Sequence, residues 1–274
     1  MQIWQAIVLG VIEGLTEFLP VSSTGHLTIA ERALGLRVDD PAVTGFTAVI
    51  QIGAIAAVVL ALRADVSRVA AAWLRSLRDP SRRGPDARLG WIVIVGTVPI
   101  GIAAVAFHDI ITGPIRSLWW VGAALVAWSA VMVAAELVAR QDRSERALTT
   151  RDGIVVGIFQ AVALVPGVSR SAATISGGLF RGLDRVTATR FAFLLAIPAM
   201  SAAAVVELGD ALSAGVGWLP TLTGTVVSFL VAYATVGWGL RFVARHSIVV
   251  FAIYRVTLGT TLLLLLATGA VAPR

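Results

Sequence analysis

The chain has no cysteine, which rules out disulfides, thiolate metal sites and cysteine nucleophiles. It has no lysine either: all 22 basic residues are arginine, a coding bias that also rules out any mechanism needing a lysine. Charge is scarce, at 14% of 274 residues, whereas hydrophobic residues reach 57%. A soluble domain of this size has too little polar surface to cover that apolar surplus, so the bilayer is the fitting solvent. The formal net charge of +6 does not point to nucleic acid, because the arginines lie in short stretches between apolar runs and form no basic patch interleaved with aromatics.

Apolar runs long enough to cross a hydrocarbon core of about 30 Å fall near 44–62, 90–107, 117–139, 190–208, 219–240 and 248–268. Two further segments, 2–35 and 152–182, start apolar, turn through Pro, Gly, Ser and Thr, and then resume. Neither half of either segment crosses alone, so each reads as a re-entrant helix pair. The expectation is one all-α polytopic membrane domain with about six transmembrane helices. The stretch Met1 to Val11 lacks a basic leader region and a small-residue cleavage site, and is expected to belong to the fold.

Arginine placement sets the orientation. The segment between the first two spans carries Arg63, Arg68, Arg75, Arg78, Arg82, Arg83 and Arg88 against Asp65, Asp79 and Asp86, and reads as a cytoplasmic loop. Segments 140–151 and 241–247 are basic too, whereas 37–43, with Asp39 and Asp40, and 207–218, with Glu207 and Asp210, are acidic and fall outside. This alternation puts both termini on the outer side and opens the two re-entrant pairs from opposite faces. The halves, 1–139 and 152–274, then read as inverted repeats. Sequence echoes support the repeat: Gly10-x-x-Glu13 through Pro20-Val21-Ser22-Ser23 resembles Gly157-x-x-Gln160 through Pro166-Gly167-Val168-Ser169.

The polar breaks carry the chemistry. Glu13 and Glu17 stand four apart, on one helix face. Two carboxylates in an apolar setting repel and lack solvent, a cost relieved by a shared proton or a divalent cation, Mg²⁺ or Ca²⁺. Pro20 stops that helix, and Ser22, Ser23 and Thr24 stand where another begins, a ready anion site. His26 follows three residues after Ser23, near enough to pair an imidazole with a hydroxyl. In the second break, Arg170 opens a helix within an apolar stretch, flanked by Ser169, Ser171 and Thr174. A guanidinium there needs an anion, and its planar fork matches phosphate.

Plainer roles stand beside these. The hydroxyls suit helix caps, and Arg170 has a competing role in snorkelling toward headgroups. Gly10 and Gly14 suit close helix packing. Arg255, in the last span after Tyr254, is balanced between packing and function. His108 and His246 sit at span ends, and Trp91, Trp119, Trp120 and Trp218 read as interfacial anchors.

The two signatures, Glu13-x-x-x-Glu17-Phe18-Leu19-Pro20-Val21-Ser22-Ser23-Thr24-Gly25-His26 and Pro166-Gly167-Val168-Ser169-Arg170-Ser171-x-x-Thr174, resemble the undecaprenyl-diphosphate phosphatase (bacitracin-resistance protein) family over essentially the whole chain. The resemblance implies hydrolysis of undecaprenyl diphosphate to undecaprenyl phosphate in the bacterial cytoplasmic membrane, recycling the lipid carrier of cell-wall synthesis, with a divalent cation required. It implies that Glu13 and Glu17 serve metal and catalysis, that Ser23 or His26 attacks or assists, and that Arg170 holds phosphate. Ser22, Thr24, Ser169, Ser171 and Thr174 are expected to line the phosphate site. The expected partner is the membrane-borne polyprenyl diphosphate; a homodimer is left open. Lipid phosphatases of the acid-phosphatase type share only a Ser-Gly-His element with Ser23-Thr24-Gly25-His26, and their further Lys and His-Asp elements are missing here.

The expected reaction is in-line attack by Ser23, with His26 or Glu17 as base; His26 or water as nucleophile is the nearest variant. The rival class is a lipid or anion transporter, since inverted repeats with broken helices are transporter architecture. A third is a bacitracin-binding scaffold without catalysis.

Overall fold

The computed structural model describes residues 1–38, 40–112, 117–213 and 217–272. Helices follow in the order α1 (Ile3–Thr16), α2 (Ser23–Ala33), α3 (Pro41–Ala61), α4 (Arg63–Arg78), α5 (Pro85–Ala106), α6 (His108–Thr112), α7 (Leu118–Val138), α8 (Thr150–Val162), α9 (Arg170–Phe180), α10 (Arg185–Ser213), α11 (Trp218–Val243) and α12 (Val249–Ala267). Among the described residues, six of these (α3, α5, α7, α10, α11 and α12) are long and apolar enough to cross a membrane. They coincide with the six runs expected from sequence. At most 50% of any span's most apolar window is covered by protein, and side chains such as Val105, Leu137, Val206 and Leu230 stand exposed. Such outward apolar surface is what a lipid solvent requires and water forbids. Asp39 lies outside the described residues, as do the side chains of Glu207 and Asp210.

Local sequence sets the ends of the helices. Asp40 caps α3 by accepting from the Ala42 N–H at 2.9 Å, with Pro41 at the first helical position; α5 likewise starts on Pro85. Ser117 caps α7, and Thr149 with Asp152 forms a reciprocal capping box on α8.

The arginine-rich segment after α3 differs from the expected loop: much of it is the helix α4. Its apolar residues recur at helical spacing, so Val66, Val69 and Trp73 make one face. Val66 and Val69 join the main core, and Trp73 lies over Gly90 and edge-on to Trp91. The arginine-bearing segments meet at one end of the molecule. Arg68 pairs with Asp65 at 3.1 Å, with Glu145 at 3.0 Å and with Asp86, while Arg88 donates to the Arg146 carbonyl.

Nearby, Asp152 is fully buried and takes both arms of Arg143, at 3.1 and 2.6 Å, and Arg181 Nε at 2.7 Å. Burial disfavours its charge, but the hydrogen bonds from Arg143, Arg181 and Thr149 outweigh that and hold its carboxyl well below the usual range. The cluster ties the segment after α7 to the starts of α8 and the end of α9.

The short helices pack through small residues, an arrangement that lets backbones approach closely. Along α1, Gly10 and Gly14 abut Gly224 and Ser228 of α11; along α8, Gly153 and Gly157 abut Ile92 and Gly96 of α5. α1 thus rests on α11, and α8 on α5. Spans α3 and α10 pack together, as do α7 and α12.

Candidate active site

Both breaks are built the same way. α1 ends at Thr16, and the chain turns through Pro20, which has no N–H to continue a helix. Ser22 then takes φ +79°, caps α2 and accepts from the Gly25 N–H. In the second half Gly167 turns at φ +98°, where an added Cβ would sit 2.5 Å from the Val121 carbonyl oxygen. Ser169 takes φ +74°, caps α9 and accepts from the Ala172 N–H. Non-glycine residues with positive φ are costly and persist only where their surroundings hold them. Here the left-handed serines stand one residue before Ser23 and Arg170. The first N–H groups of α2 and α9 have no partners within their helices.

The two breaks meet at Glu17. Arg170 Nη2 donates to Glu17 Oε1 in an ion pair, and Ser23 Oγ donates to Glu17 Oε2 at 2.5 Å. Ser171 Oγ adds a second tie, donating to the Leu19 carbonyl at 2.7 Å, and lies 3.0 Å from Ser169 Oγ. Thr174 Oγ1 donates back to the Arg170 carbonyl at 2.8 Å, within α9. A hydroxyl, a carboxylate and a guanidinium are therefore brought together from opposite halves of the chain.

His26 lies elsewhere in the network. Its Nδ1 is 2.7 Å from the Ser22 carbonyl oxygen, and its Nε2 is 2.6 Å from the Tyr254 hydroxyl, with the two rings stacked. A carbonyl only accepts, so Nδ1 carries the proton and Nε2 accepts from Tyr254. Proximity to Ser23 in sequence suggested an imidazole beside the hydroxyl; the hydroxyl instead turns to Glu17.

Glu13 is 1% exposed, and its Oε1 has no hydrogen-bond partner among the described residues. It lines a cavity of about 230 Å³ together with Ser23, Thr24, Thr28, Glu31, Thr47 and Gln51. Among the described residues no three Asp, Glu or His side chains gather in a metal-binding group. The donors on this cavity are the Glu13 and Glu31 carboxylates and neutral oxygens, with Glu17 one helical turn from Glu13. That set fits a hard divalent cation of the Mg²⁺ type, commonly held by one or two carboxylates with the remaining ligands from substrate phosphate and water. Gln160, which the sequence echo sets against Glu13, is also fully buried, with both amide atoms unpartnered among the described residues.

Thr28, Glu31, Thr47 and Gln51 on this cavity are not among the residues that the two motifs pick out. Thr24, Thr28 and Glu31 recur at helical spacing on α2, a polar stripe visible in sequence once α2 is placed. Tyr254 joins the site only through folding, 228 residues from its partner His26.

A family model described as "Bacitracin resistance protein BacA" matches residues 6–261. Among curated relatives, undecaprenyl-diphosphatase 3 of Frankia casuarinae is 54% identical over 99% of this chain and 99% of its own length. Undecaprenyl-diphosphatase of Acidothermus cellulolyticus is 54% identical over 97% of both chains, and undecaprenyl-diphosphatase 1 of Streptomyces coelicolor is 49% identical over 98% of this chain.

Proposed function

The chain belongs to the BacA family of bacitracin resistance proteins, and from that membership and the site geometry we propose that it hydrolyses undecaprenyl diphosphate to undecaprenyl phosphate and inorganic phosphate within the cytoplasmic membrane. This activity returns the lipid carrier to cell-wall synthesis and underlies bacitracin resistance. The observation that carries the reading is Glu17, held between Ser23 Oγ and the Arg170 guanidinium.

In the reaction, Ser23 Oγ attacks the terminal phosphorus in line with the bridging oxygen, and its proton passes to Glu17 Oε2, to which it is already hydrogen-bonded. Arg170 turns its fork from Glu17 to the equatorial phosphoryl oxygens, where negative charge accumulates. The bond to the bridging oxygen breaks, and undecaprenyl phosphate leaves. Glu17 passes the proton it took from Ser23 to that leaving group; water then attacks the phosphoserine, Glu17 takes a proton from the water, and it returns that proton to Ser23 Oγ as inorganic phosphate departs. N–H groups at the starts of α2 and α9 bind phosphate oxygens, with Ser22 and Ser169 fixing those starts. Ser171 holds the second break against the first, and Thr24 faces the cavity. His26, oriented by Ser22 and Tyr254, presents its ring to the headgroup. A divalent cation, held by Glu13 and Glu17, supplies charge neutralisation at the diphosphate oxygens when bound.

The halves 1–139 and 152–274 are read as inverted repeats, supported by the paired left-handed serines Ser22 and Ser169 and by the exchanged packing of α1 on α11 and α8 on α5. The arginine-rich end then faces the cytoplasm and both termini face out. The test is phosphate release from a polyprenyl diphosphate by the purified chain in detergent, with and without a chelator. Release that chelation abolishes is expected. A chain that releases no phosphate in the presence of Mg²⁺ or Ca²⁺ is not this hydrolase, and a transporter gives that outcome.

A further inference from the structure

Arg255 lies in the interior of α12 and is completely buried. Among the described residues its guanidinium donates only to neutral oxygens. Nη2 reaches the Gly167 carbonyl at 2.9 Å and the Ala124 carbonyl at 3.5 Å, Nη1 reaches the Pro20 carbonyl at 3.4 Å, and Nε reaches Ser129 Oγ at 3.3 Å. Pro20 belongs to the first break and Gly167 to the second, so one side chain bridges the turns that precede Ser23 and Arg170. A buried cation without an anion is an expensive way to stabilise a fold, and apolar side chains of similar volume would do that better. What an arginine offers at such a place is a rigid planar fork that fixes several acceptors at once.

We propose that Arg255 is the positioning residue of the reaction: its fork holds the two breaks in register, so that Ser23 and Arg170 meet on Glu17 and converge on one phosphoryl group. The assignment rests on the phosphatase reading above. Among the described residues Arg255 makes no hydrogen bond to Ser23 Oγ, and it acts through the carbonyls of Pro20 and Gly167. Ser129 has a supporting part. Its hydroxyl donates to the Leu125 carbonyl at 2.7 Å and is thereby aimed to accept from Arg255 Nε. The neighbouring Tyr254 holds His26 on the other side of the first break, so adjacent residues of α12 address Pro20 before the left-handed Ser22 and His26 after it.

The experiment compares the full chain with Arg255→Lys and Ser129→Ala, measuring kcat and KM for a polyprenyl diphosphate and thermal unfolding of each in the same detergent. Lysine keeps the charge but replaces the fork by a single ammonium that cannot fix separated carbonyls together. Misplacement of reacting groups by about 1 Å costs about 100-fold, so Arg255→Lys is expected to lose about that much kcat while KM changes by less than about threefold. Ser129→Ala, which only loosens the fork, is expected to lose about three- to tenfold in kcat at an unchanged unfolding temperature, the factor set by one long hydrogen bond of 3.3 Å. Wild-type kcat in a folded Arg255→Lys chain overturns the assignment. So does a loss expressed entirely in KM, which makes Arg255 a substrate-binding group. If Arg255→Lys does not fold, Ser129→Ala decides: wild-type kcat there overturns the assignment, and reduced kcat with intact stability supports it. A wild-type chain that releases no phosphate sinks the phosphatase reading and this inference together; activity in wild type that survives in both variants sinks only this inference.

Discussion

Glu17 has each of its oxygens committed, one to Ser23 and one to Arg170, and the two commitments make separable predictions. Glu17→Gln keeps the shape but loses the proton acceptor and the anion, and is expected to lower kcat by about 10³-fold, read as phosphate release in detergent. Ser23→Ala is expected to lose about 10³-fold or more; wild-type turnover in that variant eliminates serine attack and leaves His26 or water as nucleophile. Tyr254→Phe removes the hydroxyl donating to His26 and is expected to cost at most about tenfold, the size of one neutral hydrogen bond. The double variant with His26→Ala should be no worse than His26→Ala alone, because both act through one contact. At this scale the sequence was legible where chemistry is local. A proline followed by serines spells a helix break and restart, and Arg170 in an apolar stretch calls for the anion that the fold supplies in Glu17, whereas Arg255 in another such stretch is met by carbonyls that no sequence pattern announces. Partnerships over long separations were not legible. Nothing near His26 in the chain announces Tyr254, and Gln51 within α3 looks like any polar residue in a span until its side of the helix is known.

Among the elements, the short helices depend on glycine stripes more than on any polar contact. A Cβ at Gly157 would stand 2.3 Å from the Gly96 carbonyl oxygen, and backbone cannot yield as a side chain tip can. Gly157→Ala is therefore expected to destabilise the chain by about 1–3 kcal/mol, visible as a lowered unfolding temperature in detergent. Gly101→Ala, where an added Cβ meets nothing within 4 Å, is expected to be neutral or stabilising by up to about 1 kcal/mol through helix propensity. The six spans were legible because a run of some twenty apolar residues has no other good solution in a bilayer. α4 was not, because a charge count over 63–88 registers the arginines and is blind to the spacing of Val66, Val69 and Trp73, which gives that segment its buried face.

Taken whole, the molecule is fastened at its arginine-rich end by Asp152. Its carboxyl titrates below the ordinary value in the folded chain, so the folded state binds this proton less readily than the unfolded state does. The stabilisation it provides is complete above the unfolded value of about 3.9 and is lost as pH falls through that value toward the lower, folded one. Unfolding temperature should fall steeply below about pH 4, and Asp152→Asn should flatten that fall while lowering the unfolding temperature at neutral pH. A mutant whose acid sensitivity matches wild type would show that other carboxylates dominate.

The cavity beside Glu13 and Ser23, at about 230 Å³, is smaller than the about 300–1,000 Å³ that encloses a drug-sized ligand. It has room for a headgroup and none for a polyprenyl tail. If the tail stays among the lipids throughout, encounter takes place in two dimensions, and the concentration that governs turnover is the mole fraction of substrate in the surrounding amphiphile. Adding detergent or lipid at fixed bulk substrate should then slow the reaction by surface dilution, and rates from differently diluted micelles should collapse onto one curve only when plotted against surface density.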